Sequence, residues 1–409
     1  MTATAESHVG RSLRRKEDPR MIAGRGRYID DYSMTGMLHA AIVRSPEAHA
    51  RITSIDTSAA ASREDVVGVF TGEDLAEDFA APMVMAWSPP GVVIVEYEPK
   101  PVVVDPEKAL EEGSPLVWEQ FGTNKVHEWT ISGGDIDAAL AEADVVVEQR
   151  LVNHRTAGGA IEARGVLAVP RTDSFTLYSS TQIPHIARYL LSLITGIPED
   201  KLRVVAPDVG GGFGSKLQVY PEEALVLVLA KRLEQPVKWI ETRSENMTNS
   251  HHGRDQINYV TLGAKRDGTL TACRARIIAD LGAYQLLLTP FIPELGFPVM
   301  GGCYKFPAID LRFEGVFTNK FCTDAIRGAG RPEGTYWIEL TLDKLADELG
   351  MDRLELRRKN FIPKDEFPFT TALGITYDSG DYEGTLDKLL ERFDLDAFRR
   401  EQSELRERG

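Results

Sequence analysis

The chain has 409 residues and a formal net charge of -15 at pH 7, with 43% hydrophobic and 8% aromatic residues. That length allows two or three domains with real cores, and no apolar run approaches the ~20 residues of a membrane span. The acidic balance argues against a nucleic-acid or anionic-membrane partner, because phosphate recognition needs a cationic surface. The three cysteines, Cys273, Cys303 and Cys322, are scattered without CxxC spacing. Neither a disulfide framework nor a protein-ligated zinc or iron–sulfur centre is therefore expected. The start, Met-Thr-Ala-Thr-Ala-Glu-Ser, lacks the basic and apolar parts of a secretory signal, so a cytoplasmic location is expected.

Residues 10–32 are rich in Arg, Gly and Asp with little apolar periodicity, and read as an extended arm lying over another surface, its basic residues a solvated face. Short strands are predicted over 37–43, 52–56 and 66–71, with a helix start at 59–64. An irregular stretch leads into a strand at 92–97 and a short helix at 107–112. The polar stretch 122–124 is placed as a domain boundary, dividing the chain into 1–122 and 123–409. After it a helix is predicted over 132–143, with Ser132 and Asp135 as start chemistry and Ile136, Ala139 and Leu140 at helical spacing. Strands follow at 145–153, 165–170 and 174–181, then a helix at 184–193 that ends at Gly196. A strand is predicted at 237–242, and Asp267-Gly268 signals a hairpin between 257–264 and 270–278. The helix over 336–349 is amphipathic through Ile338, Leu342, Leu345 and Leu349 and stops at Gly350. Residues 384–408 read as helical and heavily charged. There is no internal repeat or low-complexity tract.

The most informative stretch is Asp208-Val-Gly-Gly-Gly-Phe-Gly-Ser-Lys216, set between a strand end at 204–209 and a helix over 221–233 with proline in its first turn. Glycines permit positive φ and let a ligand reach main-chain N–H groups without a Cβ in the way. Two phosphate motifs fail here. A P-loop needs Gly-Lys-[Ser/Thr], whereas Lys216 lies between Ser215 and Leu217; the dinucleotide fingerprint needs a third glycine where Ser215 stands. A tight turn without ligand is the plain alternative.

Several stretches together resemble the N-terminal half of the molybdenum-binding large subunit of the xanthine oxidase family of molybdenum hydroxylases, in its carbon monoxide dehydrogenase-like branch. They are Gly10-Arg-Ser-Leu-Arg-Arg-Lys-Glu-Asp-Pro19, Gly24-Arg-Gly-Arg-Tyr-Ile-Asp-Asp31, Arg44-Ser-Pro-Glu-Ala-His-Ala50, Ser180-Thr-Gln-Ile-Pro-His185 and Gly210-Gly-Gly-Phe-Gly-Ser-Lys216. Beyond these come His252-Gly-Arg-Asp255, Asp280-Leu-Gly-Ala-Tyr284, Arg327-Gly-Ala-Gly-Arg-Pro-Glu333 and Leu356-Arg-Arg-Lys-Asn-Phe361. They run nearly end to end in the family's order, which makes the set specific.

The resemblance implies an α+β chain: an N-terminal α/β hammerhead domain followed by the first molybdopterin-binding domain. It implies molybdenum held by a molybdopterin, usually the cytosine dinucleotide form, with [2Fe-2S] centres on a small partner subunit and FAD on a medium one. The implied reaction puts oxygen from water into a substrate C–H bond and releases two electrons; N-heterocycles and aldehydes are both chemically reasonable. Gln182 matches the glutamine that hydrogen-bonds an oxygen ligand of the metal. The backbone of Gly211, Gly212, Phe213 and Gly214 matches the loop that meets the cofactor, with Phe213 beside the substrate. Arg327 matches a substrate-orienting position at the metal site, followed by Gly328 and Ala329 as further cofactor contacts. None of these is a metal ligand.

Four departures matter. A copper-bearing cysteine in true carbon monoxide dehydrogenases stands where this chain has Gly328, which argues against carbon monoxide as substrate. Purine-oxidising members carry an acidic residue where this chain has Leu217. A strand and a helix of the hammerhead are missing between Pro90 and Val92. The family's general base and most dinucleotide contacts belong to a second molybdopterin-binding half outside this chain, so the chain alone is expected to be inactive. Glu222 and Glu223 open a helix, where acidic side chains complement the dipole. The rival reading is a non-catalytic scaffold that docks an iron–sulfur or FAD subunit.

Overall fold

The computed structural model describes residues 11–80 and 94–409. Two five-stranded sheets organise the chain. The first has the order Leu38–His39, Val237–Ile240, Gly165–Pro170, Phe175–Ser179, Leu202–Val205. The helices Pro184–Thr195 and Pro221–Leu233 close over it, burying Ala187, Leu191, Leu227 and Ala230 against Val166, Leu177 and Trp239. The second sheet is longer, in the order Lys125–Gly133, Ala308–Phe317, Leu270–Gly282, Gln256–Ala264, Val145–Asn153. The helix Arg331–Leu349 lays Trp337, Ile338, Leu342 and Leu345 onto it. Val103, Ala109 and Val117 pack on the same sheet, against Ile278, Leu281 and Val316. This mixture of sheets with covering helices is the α+β architecture the sequence implies.

Local signals place many elements well. The helix Pro221–Leu233 and the strand Val145–Asn153 fall on the predicted residues. The Asp267-Gly268 hairpin forms, with Ile257 opposite Ile278 and Leu262 opposite Cys273. Gly196 and Gly350 end their helices in the left-handed conformation that glycine adopts without a Cβ penalty. The charged C-terminal stretch is helical, in two pieces, Tyr382–Leu390 and Leu395–Arg408.

Four expectations are corrected. The N-terminal arm is not wholly extended: Asp18–Ile22 is a short helix and Ile29–Asp31 a 3-10 turn. Residues 66–71 are not a strand, because Asp74 accepts hydrogen bonds from both the N–H and the hydroxyl of Thr71 and closes a turn there. The strand near 37–43 shrinks to Leu38–His39, an edge position beside Val237 and Lys238. The helix expected over 132–143 begins only at Ile136, capped by Asp135, whereas Ser132 lies in the strand Lys125–Gly133 and bonds Asp310. The expected gap between Pro90 and Val92 lies outside the described residues.

Candidate functional site

The first sheet ends at Val205, and the chain runs through Asp208 into the glycine loop before the helix Pro221–Leu233 begins. Asp208 anchors the entry: Arg20 of the arm grips its carboxylate through both guanidinium nitrogens, and Arg27 donates its N–H at 2.7 Å. These bonds, the Arg20 side chain first, hold the Asp208 carboxyl at about 2. The N-terminal basic stretch thus clamps the site through one arginine.

Glu162 does the same from the other side. Its Oε2 accepts from Gly210 N and from Lys216 Nζ, each at 2.8 Å, while its own N–H donates to Gly210 O. Lys216 is buried, so this loop lysine is a structural tie and not a phosphate ligand. Burial draws its ammonium below the ordinary value, against the support of Glu162.

Gln182 organises the loop from within. Its Oε1 accepts from Gly214 N at 3.0 Å and Lys216 N at 3.3 Å. Both partners are donors, so the oxygen must face the loop and the Nε2 donor must face away. The glycines are required by close approach: a Cβ at Gly212 would lie 2.4 Å from Gln182 Oε1, and one at Gly214 would lie 2.0 Å from Ala325 O. Phe213 is held at φ 54, a conformation costly for an aromatic residue, with its ring 45% exposed.

The Arg327 turn comes alongside. Arg327 N donates to Phe213 O at 2.7 Å, so the two turns are hydrogen-bonded neighbours. Arg254, itself at φ 66, donates to Arg327 O at 2.9 Å and pairs with buried Glu333. The His252-Gly-Arg-Asp255 motif therefore supports the turn, a role its sequence does not announce. The Arg327 side chain is exposed and bonds to no described residue. Ala329 N is taken by Ile326 O at 2.8 Å and offers no donor. Gly328 has φ 107, and a Cβ there would lie 2.3 Å from Pro332 Cγ.

The structure thus brings Gln182, residues 211–214, Arg327, Gly328 and Ala329 onto one surface. The N–H groups of Gly211, Gly212 and Phe213 donate to no described residue. Three successive open amides, an outward carboxamide donor and a guanidinium without a described partner form a surface of hydrogen-bond donors, a chemistry that suits a polar, oxygen-rich group. Among the described residues no group of three or more His, Cys, Asp or Glu is placed to hold a metal ion. The chemistry here is that of donors.

Under this surface lies a buried charge network that sequence reasoning missed. Arg164 binds Glu222 at 2.9 Å and Glu241 at 2.7 Å, and Arg44 reaches Glu222 at 2.6 Å. Burial alone would lower the Arg164 pKa, but the two carboxylates raise it well above its ordinary value. Glu223, one residue on, accepts from Ser179 and from Tyr220 N, and burial pushes it up to about 7. The two glutamates at this helix start therefore do more than complement a dipole.

A model of the molybdopterin cofactor-binding domain matches residues 117–361, and one for the aldehyde oxidase and xanthine dehydrogenase a/b hammerhead domain matches residues 23–98. The chain belongs to the xanthine oxidase family of molybdenum hydroxylase large subunits. The carbon monoxide dehydrogenase large chain of Hydrogenophaga pseudoflava is 37% identical over 442 aligned positions, covering 95% of this chain and 54% of the relative. Since 442 positions exceed the 409 residues here, the relative carries residues in that span which this chain lacks. The crystal structure of quinoline 2-oxidoreductase from Pseudomonas putida 86 superposes with a TM-score of 0.91 at 34% identity, covering 98% of this chain and 56% of that one. The chain spans about half the length of these relatives. The nicotinate dehydrogenase large molybdopterin subunit of Eubacterium barkeri, 29% identical, differs in proportion: 89% of it is covered by 86% of this chain. Among the described residues no helix is long and apolar enough to cross a membrane.

Proposed function

We propose that this chain forms one wall of the active site of a molybdenum hydroxylase that oxidises a ring C–H bond of an aromatic N-heterocycle, with water as the oxygen source. The observation that carries this reading is the single surface on which the open amides of residues 211–213, the Gln182 carboxamide and the free Arg327 guanidinium meet. When bound, the molybdenum of a molybdopterin, in the cytosine dinucleotide form, supplies two-electron redox chemistry. The chain's own part is to bind and orient. The amides of residues 211–213 and Gln182 Nε2 donate to oxygens of the cofactor group, and preorganised donors are worth most where negative charge develops. Phe213 offers an aromatic face to a flat substrate. Arg327, a planar fork, orients a carbonyl or carboxylate on it.

Relatives named for quinoline and nicotinate, at 34% and 29% identity, favour a heterocycle over an aldehyde, since the aldehyde oxidoreductase of Desulfovibrio gigas is 25% identical. Gly328 speaks against carbon monoxide, because the turn has no room for a cysteine Cβ. The general base belongs to the second molybdopterin-binding half, supplied either by a further segment or by a separate subunit, as the proportions of the nicotinate dehydrogenase subunit suggest. Electrons leave through [2Fe-2S] and FAD centres on small and medium subunits in the cytoplasm.

The test is molybdenum and releasable cytidine nucleotide per mole of chain, on material purified from its host with all co-purifying polypeptides identified. We expect stoichiometric metal, a second half and turnover in a screen of N-heterocycles. A stable complex with those subunits but no metal would overturn the reading in favour of a scaffold.

A further inference from the structure

Behind the open surface, a buried hydrogen-bonded pair links the two turns that carry the site. Tyr220 precedes the helix Pro221–Leu233, and His251 follows the helix Arg243–Asn249; both are fully enclosed. The Tyr220 hydroxyl lies 2.8 Å from Ser215 O in the glycine loop and 2.7 Å from His251 Nδ1. On the other side of the imidazole, Nε2 lies 2.9 Å from Ala325 O, two residues before Arg327. That carbonyl is also the atom against which Gly214 packs.

Proton counting makes the arrangement more than filler. Ser215 O and Ala325 O can only accept, so each needs a proton from the pair. A neutral imidazole and a phenol carry two side-chain protons for three contacts, while the His251 backbone N–H, 3.4 Å from the Tyr220 oxygen, brings its own. With the Nε2 proton committed to Ala325 O, the single phenolic proton faces two acceptors, His251 Nδ1 and Ser215 O. A third proton is disfavoured near neutral pH: burial pushes His251 down to about 4, and the Arg164 guanidinium, 3.7 Å over the Tyr220 ring, opposes further positive charge.

We propose that His251 and Tyr220 are a positioning pair, holding the glycine loop and the Arg327 turn in register through one shared proton without touching substrate or cofactor. The inference rests on the reading of these two turns as a wall of the active site.

The test uses the assembled, cofactor-loaded enzyme carrying Tyr220→Phe or His251→Gln. The first removes only a hydroxyl. The second keeps an N–H for Ala325 O and gives up Tyr220. Amide hydrogen exchange of residues 210–218 and 322–330 is followed against the rest of the chain, together with kcat, KM and molybdenum content. Loss of the hydrogen bonds at the Tyr220 hydroxyl should speed exchange in both segments and lower kcat by about tenfold for each variant, with KM and metal content kept. Unchanged exchange in either segment overturns the proposal, as does faster exchange with unchanged kcat. If His251→Gln does not fold, Tyr220→Phe decides alone, because its ring and packing are preserved. Wild-type protein without metal or turnover would defeat the hydroxylase reading instead, while exchange would still decide whether the pair couples the two turns.

Discussion

At Gln182 one side chain presents two different faces. The oxygen fastens the loop amides of Gly214 and Lys216, and the amide nitrogen is left to face the site. Gln182→Glu separates them, since a carboxylate accepts the same two N–H bonds but has no proton to donate. We expect the loop to stay ordered and kcat to fall by about 10²-fold, the effect of removing one preorganised donor; turnover at the wild-type rate would show that the outward nitrogen is idle. Arg327→Ala should lower turnover with subunit assembly intact, because its guanidinium bonds to no described residue. Intact kinetics on every substrate would remove its orienting role. Gly328→Cys should give no carbon monoxide oxidation after copper reconstitution, and should lower the melting temperature, because a Cβ there meets Pro332 at a φ of 107.

The helix Pro221–Leu233 and its surroundings carry the charges that keep the glycine loop in place. Arg164 faces Glu222 and Glu241 with almost no solvent, so Arg164→Met leaves Glu241 without its ion-pair partner and Glu222 with Arg44 alone, and should cost about 3–5 kcal/mol, read by denaturant unfolding. A loss under ~1 kcal/mol would mean that water enters the network. Two neighbouring groups set opposite pH slopes. Glu223 has a folded value of about 7 against an ordinary 4.5, so the folded chain keeps a proton that the unfolded chain has lost; its stabilisation is full below pH 4.5 and is lost as pH rises to 7. His251, at about 4 against 6.5, is the reverse: its contribution is full above pH 6.5 and is lost as pH falls to 4. Between 4.5 and 6.5 the two slopes, each at most ~1.4 kcal/mol per pH unit, oppose one another. Glu223→Gln should therefore make the melting temperature fall more steeply on acidification than in the wild type, and His251→Gln should make it fall as pH rises from 4.5 to 7. Melting curves that parallel the wild type in both variants would refute the buried assignments.

For the molecule as a whole, the candidate site is, among the described residues, an open surface on the two turns with its donors facing outward. On the proposed reading the two turns form one wall of the site, so the cofactor is expected to bind only in company with the second half. Molybdenum and cytidine nucleotide should therefore be stoichiometric when the second half is present, and substoichiometric when the chain is purified alone. Full cofactor occupancy in the isolated chain would mean that these turns suffice. Dialysis against a molybdenum chelator should abolish turnover and leave the far-ultraviolet circular dichroism of the chain unchanged, because both cores form from its own sheets and helices.

The family and the glycine loop were legible in the sequence, because they rest on short contiguous motifs; the same motifs nominated Gln182, Phe213 and Arg327, which the fold brings onto one surface. So were the hairpin at Asp267-Gly268 and the helix Pro221–Leu233, whose signals are local turn and capping chemistry. The strands Lys125–Gly133 and Ala308–Phe317 were not. Trp129 pairs with Phe313 across a separation that leaves no turn signal, and the first strand alternates polar residues much as a linker does. The same distance in sequence hid the supports of the site. Glu162 under the loop, Arg254 under the Arg327 turn, and the Tyr220–His251 pair find their partners across tens of residues. A buried charge or hydroxyl is defined by which acceptor the fold places beside it, and only tertiary packing decides that.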